Sequence, residues 1–373
     1  MAHMIEEGVD LVFTPQGETW EKTWHGLQTA VKGGIKRDGS NIEKAFCPII
    51  ELPVTVSAPK GMKITPEMKE QMSDWKMIVA DCSKGESKNM QFLHVPKAGY
   101  KIHQNKALFD CMVKSATTVL GADGFEIVTV GTLGGYSQFF VSIAVKGEQT
   151  FNVGNLDGGK KDVWNKFFNL NSSHNGLIAS SRHLSTIRMV CMNTVRFSVE
   201  NAETAGTISD IKHTANSGEL VTPKAFEADL KAWLDQSKAF EAALVRIKAE
   251  KMDVDQFKHY AAGLFTNEKS DNLSTHSYNR IEDMIPLFQR GMGNTGKTRY
   301  DGVNAVTEYF THEANKDGDS TLPKRVAMAN FGRGNDWKQD AITLATNDEL
   351  FANAIKRGKT LYADKHAVQL AGN

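Results

Sequence analysis

Residues 125–153 read FEIVTVGTLGGYSQFFVSIAVKGEQTFNV. Three apolar runs, 125–130, 138–145 and 149–153, are separated by Gly134-Gly135 and by Lys146-Gly147. Short β-branched and aromatic runs punctuated by glycine turns read as an antiparallel β-meander. In the middle run Phe139, Val141, Ile143 and Val145 alternate with Gln138, Phe140, Ser142 and Ala144. One face is therefore built for a core and the other is mixed. After a turn at Asp157-Gly158-Gly159, residues 163–170 continue as a further strand, and 171–176 (NSSHNG) form a polar loop.

Downstream the period changes. Ile187, Val190, Cys191, Thr194, Val195 and Ser198 fall at i, i+3, i+4, i+7, i+8 and i+11, the spacing of one helix face. Arg188, Met192 and Arg196 lie on another side of it. The spacing predicts a helix over 186–199 that packs across the meander and carries a basic stripe. Strand 125–130 has no Pro or Lys to blunt an edge. Either a second copy or the N-terminal strands must then pair with it.

On the N-terminal side, residues 46–56 (FCPIIELPVTV) are short, proline-bearing strands suited to an edge. Thr65-Pro66 starts a helix, 75–81 is a strand, and 108–120 is a helix ended by Gly121. On the C-terminal side, Thr222 caps a helix with Pro223 in its first turn, and Phe226, Leu230, Trp233, Phe240, Leu244 and Ile247 form its apolar stripe. Further helices fall at 254–264, 303–314 and 348–357, the last stopped by Gly358. The fold class is α+β: an antiparallel β-meander with a helix packed across it, plus a helical C-terminal region. Residues 1–120 form a β-rich N-terminal region, 121–222 the meander-plus-helix core and 223–373 the helical region.

The chain has 373 residues, enough for a substantial core. Lys plus Arg equals Asp plus Glu at 44 each, so any surface for a polyanion is local. The four cysteines (Cys47, Cys82, Cys111, Cys191) show no metal-binding spacing, as in a reduced, cytoplasmic protein. No histidine pair has zinc spacing with a nearby acid. No apolar run approaches the roughly 20 residues that span a bilayer, and no membrane partner is expected. Met1-Ala2-His3-Met4 reads as a cloning scar, with the natural start at Met4.

Residues 291–298 (GMGNTGKT) spell a phosphate-binding loop: Gly291, four residues, then Gly296, Lys297 and Thr298. Such a loop needs a buried strand before it. Instead Ile281, Ile285 and Phe288 recur at helical spacing, so a flexible turn with an exposed Lys297 is the competing reading. Glu308 and His312, one turn apart, suit a carboxylate–imidazole pair or a structural hydrogen bond. His174 has no nucleophile or oriented partner beside it in sequence.

Several patches resemble a phage and plasmid protein family, a domain of unknown function carried by phages, plasmids and prophages. They are Trp24-His25-Gly26-Leu27, Gly131 through Gly135, the NSSHNG loop, Arg188 through Thr194, His213-Thr214, and Asn304 through Tyr309 with His312. The resemblance implies a mobile-element protein in a bacterial host cytoplasm and fixes no reaction. More distantly, the meander-then-helix order is similar to phage single-strand annealing proteins of the Red-beta and Erf type. That likeness implies rings or filaments holding single-stranded DNA in a basic groove.

Residues 158–200 hold six Lys/Arg against Asp162 and Glu200. Lys160, Lys161, Lys166, Arg182, Arg188 and Arg196 are the candidate phosphate contacts, with Tyr136, Phe140 and Trp164 as aromatics for base stacking or for the core. The expected function is single-stranded DNA binding or annealing by a homo-oligomer without a nucleotide or other cofactor. The alternatives are a protein-interaction factor of a mobile element and a phosphate-loop nucleotidase.

Overall fold

A computed structural model describes residues 11–16, 29–55, 57–58, 60–61, 63–82, 90–146, 151–155, 161–176, 180–188, 193–196, 208–267, 269–314 and 333–371. The meander is its centre. Strands β6 (Phe125–Leu133), β7 (Gln138–Val145) and β9 (Lys161–Ser173) run antiparallel, and β10 (Ser180–Arg188) extends them. Among the described residues the sheet has nine strands, in the order β11-β10-β9-β7-β6-β1-β2, with β12 on β10 and β8 on β9. Here β1 is Leu11–Pro15, β2 Thr29–Val31, β8 Phe151–Asn155, β11 Asn193–Arg196 and β12 Ile208–Ile211. β9 reaches Ser173, so the NSSHNG stretch is strand in its first half.

Two sequence-based expectations change here. The described parts of 186–199 are not helical: Ser185 through Arg188 pair with Asn193 through Arg196 as β10 and β11. Five residues of the supposed stripe region, Thr186, Ile187, Val190, Thr194 and Val195, are β-branched and favour a pleated surface. The thirteen-residue strand β9 gives that segment a template. The third strand of the meander also differs: β9, not the 149–153 run, pairs with β7, and β8 pairs with β9. Of the two partners expected for β6, an N-terminal strand is the one present: Leu11, Val12 and Phe13 of β1 pair with Thr132, Gly131 and Val130.

Helices do pack across the meander, but they come from elsewhere. α2 (Asn105–Leu120) and α3 (Pro223–Ala249) lie on one sheet face and against each other. The Thr222 hydroxyl accepts from the Ala225 N–H and Pro223 fills the first turn, as the capping signal predicts. All six residues of the predicted α3 stripe are buried. Phe168 of β9 meets Phe226 and Trp233 at ring distances of 6.4 and 5.3 Å. Trp164 belongs to this core, its indole N–H donating to the Tyr300 hydroxyl at 2.8 Å.

A smaller sheet, β3 (Ile49–Pro53), β4 (Lys76–Asp81) and β5 (Met90–His94), follows the order β3-β4-β5, with the proline-bearing strand at an edge as predicted. α1 (Pro66–Ser73) lies between β3 and β4 in the chain. The C-terminal region holds α4 (Val254–Leu264), α5 (Thr275–Arg290), α6 (Arg299–Glu308) with a π-helical turn at Tyr309–Glu313, α7 (Arg333–Thr346) and α8 (Asp348–Ala371). Gly358 does not end a helix; it lies inside α8. A Cβ there would meet the His259 carbonyl of α4 at 1.8 Å, so the glycine permits close helix contact instead. No helix of the described residues is long and apolar enough to cross a membrane.

Candidate functional site

The two faces of the large sheet differ. On the helix side, alternate positions of β7 and β9 are buried; on the other side, positions stay partly exposed. Register aligns Thr129, Ser142 and Asn169 across three strands, and Phe140 beside Asn171. The Ser142 hydroxyl donates to Asn169 Oδ1 at 2.7 Å. Phe140 lies across Gly131, where an added Cβ would come within 2.6 Å of the ring. Below this ladder lies a small buried cluster, Val128, Ala144 and Phe167. Among the described residues the face thus offers the half-buried Phe140 ring and a row of uncharged amides and hydroxyls, groups able to stack on bases and to bond their edges.

Of the six candidate cations, the side chains of Lys161, Lys166 and Arg182 are described, and these three do not share one surface. Lys161 is exposed at the head of β9, in the same alternation as Asn165 and Asn169. Lys166 is buried on the opposite alternation, where burial lowers its pKa and Glu241 opposes that shift. Arg182 is buried beneath α3. Its Nη2 is 2.5 Å from Asp229, Nη1 donates to the Leu220 carbonyl at 2.5 Å, and its guanidinium covers the Phe226 ring at 4.2 Å. Those contacts commit Arg182 to the core. Arg188 and Arg196 lie on paired strands opposite Asn193 and Ser185, with no helical stripe. Lys160 and the Trp24–Leu27 patch lie outside the described residues.

The phosphate-loop letters connect two helices. Gly291 ends α5 and Thr298 caps α6. The anion in this nest is the protein's own. Asp301 Oδ2 accepts from the Lys297 N–H at 3.0 Å, the Thr298 N–H at 3.1 Å and the Thr295 hydroxyl at 2.8 Å. The Asp301 N–H returns a bond to Thr298 Oγ1, completing a capping box. Gly296 supplies the left-handed turn, at φ 70°. Glu308 is buried beside Gly291 and accepts from the Met292 N–H, whereas His312 is exposed.

A cluster that no local motif announces joins the small sheet to the large one. Tyr100, His103, His174 and His213 converge, with ring centroids of 4.5 Å for Tyr100–His213, 4.9 Å for His103–His213 and 5.0 Å for His174–His213. The partners fix the tautomers. His174 Nε2–H donates to the His103 carbonyl at 3.2 Å, so Nδ1 accepts from the Tyr100 hydroxyl at 3.0 Å. His213 Nδ1–H donates to the Lys101 carbonyl at 2.7 Å, so Nε2 accepts from Ser180 at 3.1 Å. Ser217 donates to the Thr214 carbonyl and accepts from His103 Nε2–H at 2.9 Å. Burial, then the neighbouring His213, pushes His103 down to about 4 and His174 down to about 3. His213 is lowered by burial as well. The three rings are therefore neutral near pH 7 and act as a latch on residues 100–104. Among the described residues no group of His, Cys, Asp and Glu is arranged to hold a metal ion. The NSSHNG and His213-Thr214 patches were visible in sequence; their meeting required the fold.

A profile of the family described as a domain of unknown function, DUF932, matches residues 92–348. The chain belongs to that family. The match takes in the meander, the histidine cluster and most of the helical region. No curated protein and no solved structure matches the chain.

Proposed function

We propose that this is a single-stranded nucleic-acid-binding protein of a phage or plasmid, of the annealing kind, acting as a homo-oligomer without a nucleotide. The observation that supports the reading is the partly exposed sheet face with Phe140 lying over Gly131 beside the Asn169–Ser142 ladder. Bases stack on Phe140 and meet amide groups from β7 and β9. Phosphates are held by Lys161 and, by their place in the sequence, Lys160, Arg188 and Arg196. Arg182 instead holds the sheet to α3, and Lys166 is buried. A site built around Phe140 is short, so a long strand requires several copies side by side. The resemblance to annealing proteins supports assembly in a ring or filament.

The test is fluorescence anisotropy with a labelled oligothymidylate at low and high salt, with light scattering for assembly. Binding is expected to weaken with salt, with a log–log slope of about −0.7 per phosphate contacted. Phe140→Ala should cost ~1–3 kcal/mol of binding. Absence of binding at low salt, or equal binding by Phe140→Ala, would sink the proposal.

One observation favours a protein-interaction factor instead. Met90 and Phe92 on edge strand β5 are 55% and 62% exposed, an apolar edge suited to strand addition. Phe92→Lys separates the two readings: it should abolish partner capture after nuclease treatment and leave oligonucleotide binding intact.

A further inference from the structure

Cys47 and Cys82 are far apart in sequence, and the register of β3 on β4 brings them together. Ile49 pairs with Ala80, and the Asp81 N–H donates to the Pro48 carbonyl at 2.7 Å. Cys47 therefore stands opposite Cys82. Since 48 and 81 are the hydrogen-bonded pair, 47 and 82 are the next non-hydrogen-bonded pair, the closer kind, with Cα atoms about 4.5 Å apart. A disulfide spans roughly 4.4–6.8 Å between Cα atoms. Both thiols are free; Cys47 is half-buried and Cys82 buried. They reach each other by hydrogen bonding, and the Tyr136 hydroxyl reaches both. Tyr136 occupies the β6–β7 turn at φ 71°, the single left-handed non-glycine residue among the described ones. Backbone of this kind is costly and persists where its surroundings fix it.

We propose that Cys47 and Cys82 are a thiol–disulfide exchange site for low-molecular-weight disulfides such as oxidised glutathione, with Tyr136 as a positioning residue. Cys47, the more accessible, attacks first. Its thiolate forms a bond to one glutathione sulfur, the glutathione S–S bond breaks, and glutathione thiolate leaves. The Cys82 thiolate then attacks Cys47 sulfur and expels the second glutathione. The two cysteines are oxidised, the glutathione disulfide is reduced to two thiols, and the two cysteine protons pass to those thiols. The second step is the slow one. Burial pushes the Cys82 thiol up to about 12, and the Tyr136 hydroxyl acts in the opposite direction by donating to that sulfur. The bridge would tie edge strand β3 to β4, and reduced glutathione reverses it.

The test uses the full chain incubated with oxidised glutathione, quenched with acid, alkylated and mapped by mass spectrometry. The expected product is a linked peptide pair containing Cys47 and Cys82 and no glutathione, reversed by reduced glutathione. Cys82→Ser should keep glutathione on Cys47, and Tyr136→Phe should accumulate the mixed disulfide by slowing its resolution several-fold. Persistence of glutathione on Cys47 in the unaltered chain would overturn the site. So would full alkylation of both cysteines under conditions that modify Cys111. An unchanged resolution rate in Tyr136→Phe would remove the role given to Tyr136.

Discussion

Two regions bury a cation, and they handle it oppositely. Between the large sheet and α3, Arg182 meets Asp229, the Leu220 carbonyl and the Phe226 ring. In the helical region, Lys338 on α7 is fully buried and its amine has no hydrogen-bonding partner among the described residues. Asn304 on α6, which packs against α7, is equally buried, with neither side-chain atom bonded among the described residues. Burial pulls Lys338 down to about 7, with no acid among the described residues to oppose it. A buried charge is tolerated when a counter-ion and acceptors meet it, as Asp229 and the Leu220 carbonyl meet Arg182 although its Nε is left unbonded among the described residues; otherwise the group tends to become neutral. The difference separates a cation that fastens two layers from one that only weakens its helix pair.

Removing Asp229 should have the largest effect, because it strands Arg182. Asp229→Ala is expected to cost ~3–5 kcal/mol, read as a lower urea midpoint at unchanged slope. Lys338→Met should move the other way, raising stability by on the order of 2 kcal/mol near pH 7, where holding the amine neutral has a cost that methionine lacks. The sign follows from protons. Lys338 binds its proton more weakly folded than unfolded, so its cost shrinks as pH rises from about 7 toward the ordinary lysine value of 10.5. If both substitutions destabilised equally, the two regions would not differ in the way their contacts indicate.

The histidine latch sharpens the comparison, since its polar groups are buried and partnered only while neutral. Its folded pKa values, about 4 for His103 and about 3 for His174, lie below the ordinary 6.5. The unfolded chain therefore takes up more protons in acid. Stability is complete above pH 6.5 and falls as pH drops toward 4. Between pH 6.5 and 5 each of these histidines should remove about 2 kcal/mol. Urea titrations at pH 7 and pH 5 would measure it, and His174→Phe should flatten the dependence. A pH-independent midpoint across that window would show that the latch is not under this control.

Local chemistry made much of the fold legible. The Thr222-Pro223 start of α3, the Gly121 end of α2 and the glycine turns of the meander all depend on residues a few positions apart. Failures occurred where distant pairing decided the outcome. The 3.6-residue spacing around Arg188 was genuine, yet β9 offered that segment a strand partner that no nearby residue reveals. Gly358 looked like a stop because its contact, the His259 backbone, lies on another helix. For the same reason the basic residues were readable as a group, while the burial of Lys166 and Arg182 was not. The histidine cluster draws on residues from 100 to 213 and has no spacing to detect. Phe140 was readable as a position on the mixed face, because strict alternation in β7 determines it.

The smallest effect belongs to the loop whose letters promised the most. Asp301 occupies the place that a phosphate would take, accepting from two backbone N–H groups and a threonine. Asp301→Ala removes one partner of the capping box and should cost ~1–2 kcal/mol. It also empties the nest beside Lys297 while leaving the α6 N-terminus, which favours anions, in place. Inorganic phosphate should then raise the melting temperature of Asp301→Ala more than that of the unaltered chain, whose nest is already filled. Magnesium with ATP should leave the unaltered chain unchanged, whereas a nucleotide held at ~100 times its dissociation constant would add about 2.7 kcal/mol. Stabilisation of the unaltered chain by ATP, abolished by Lys297→Ala, would instead mean that Asp301 yields its place and that the loop binds phosphate after all.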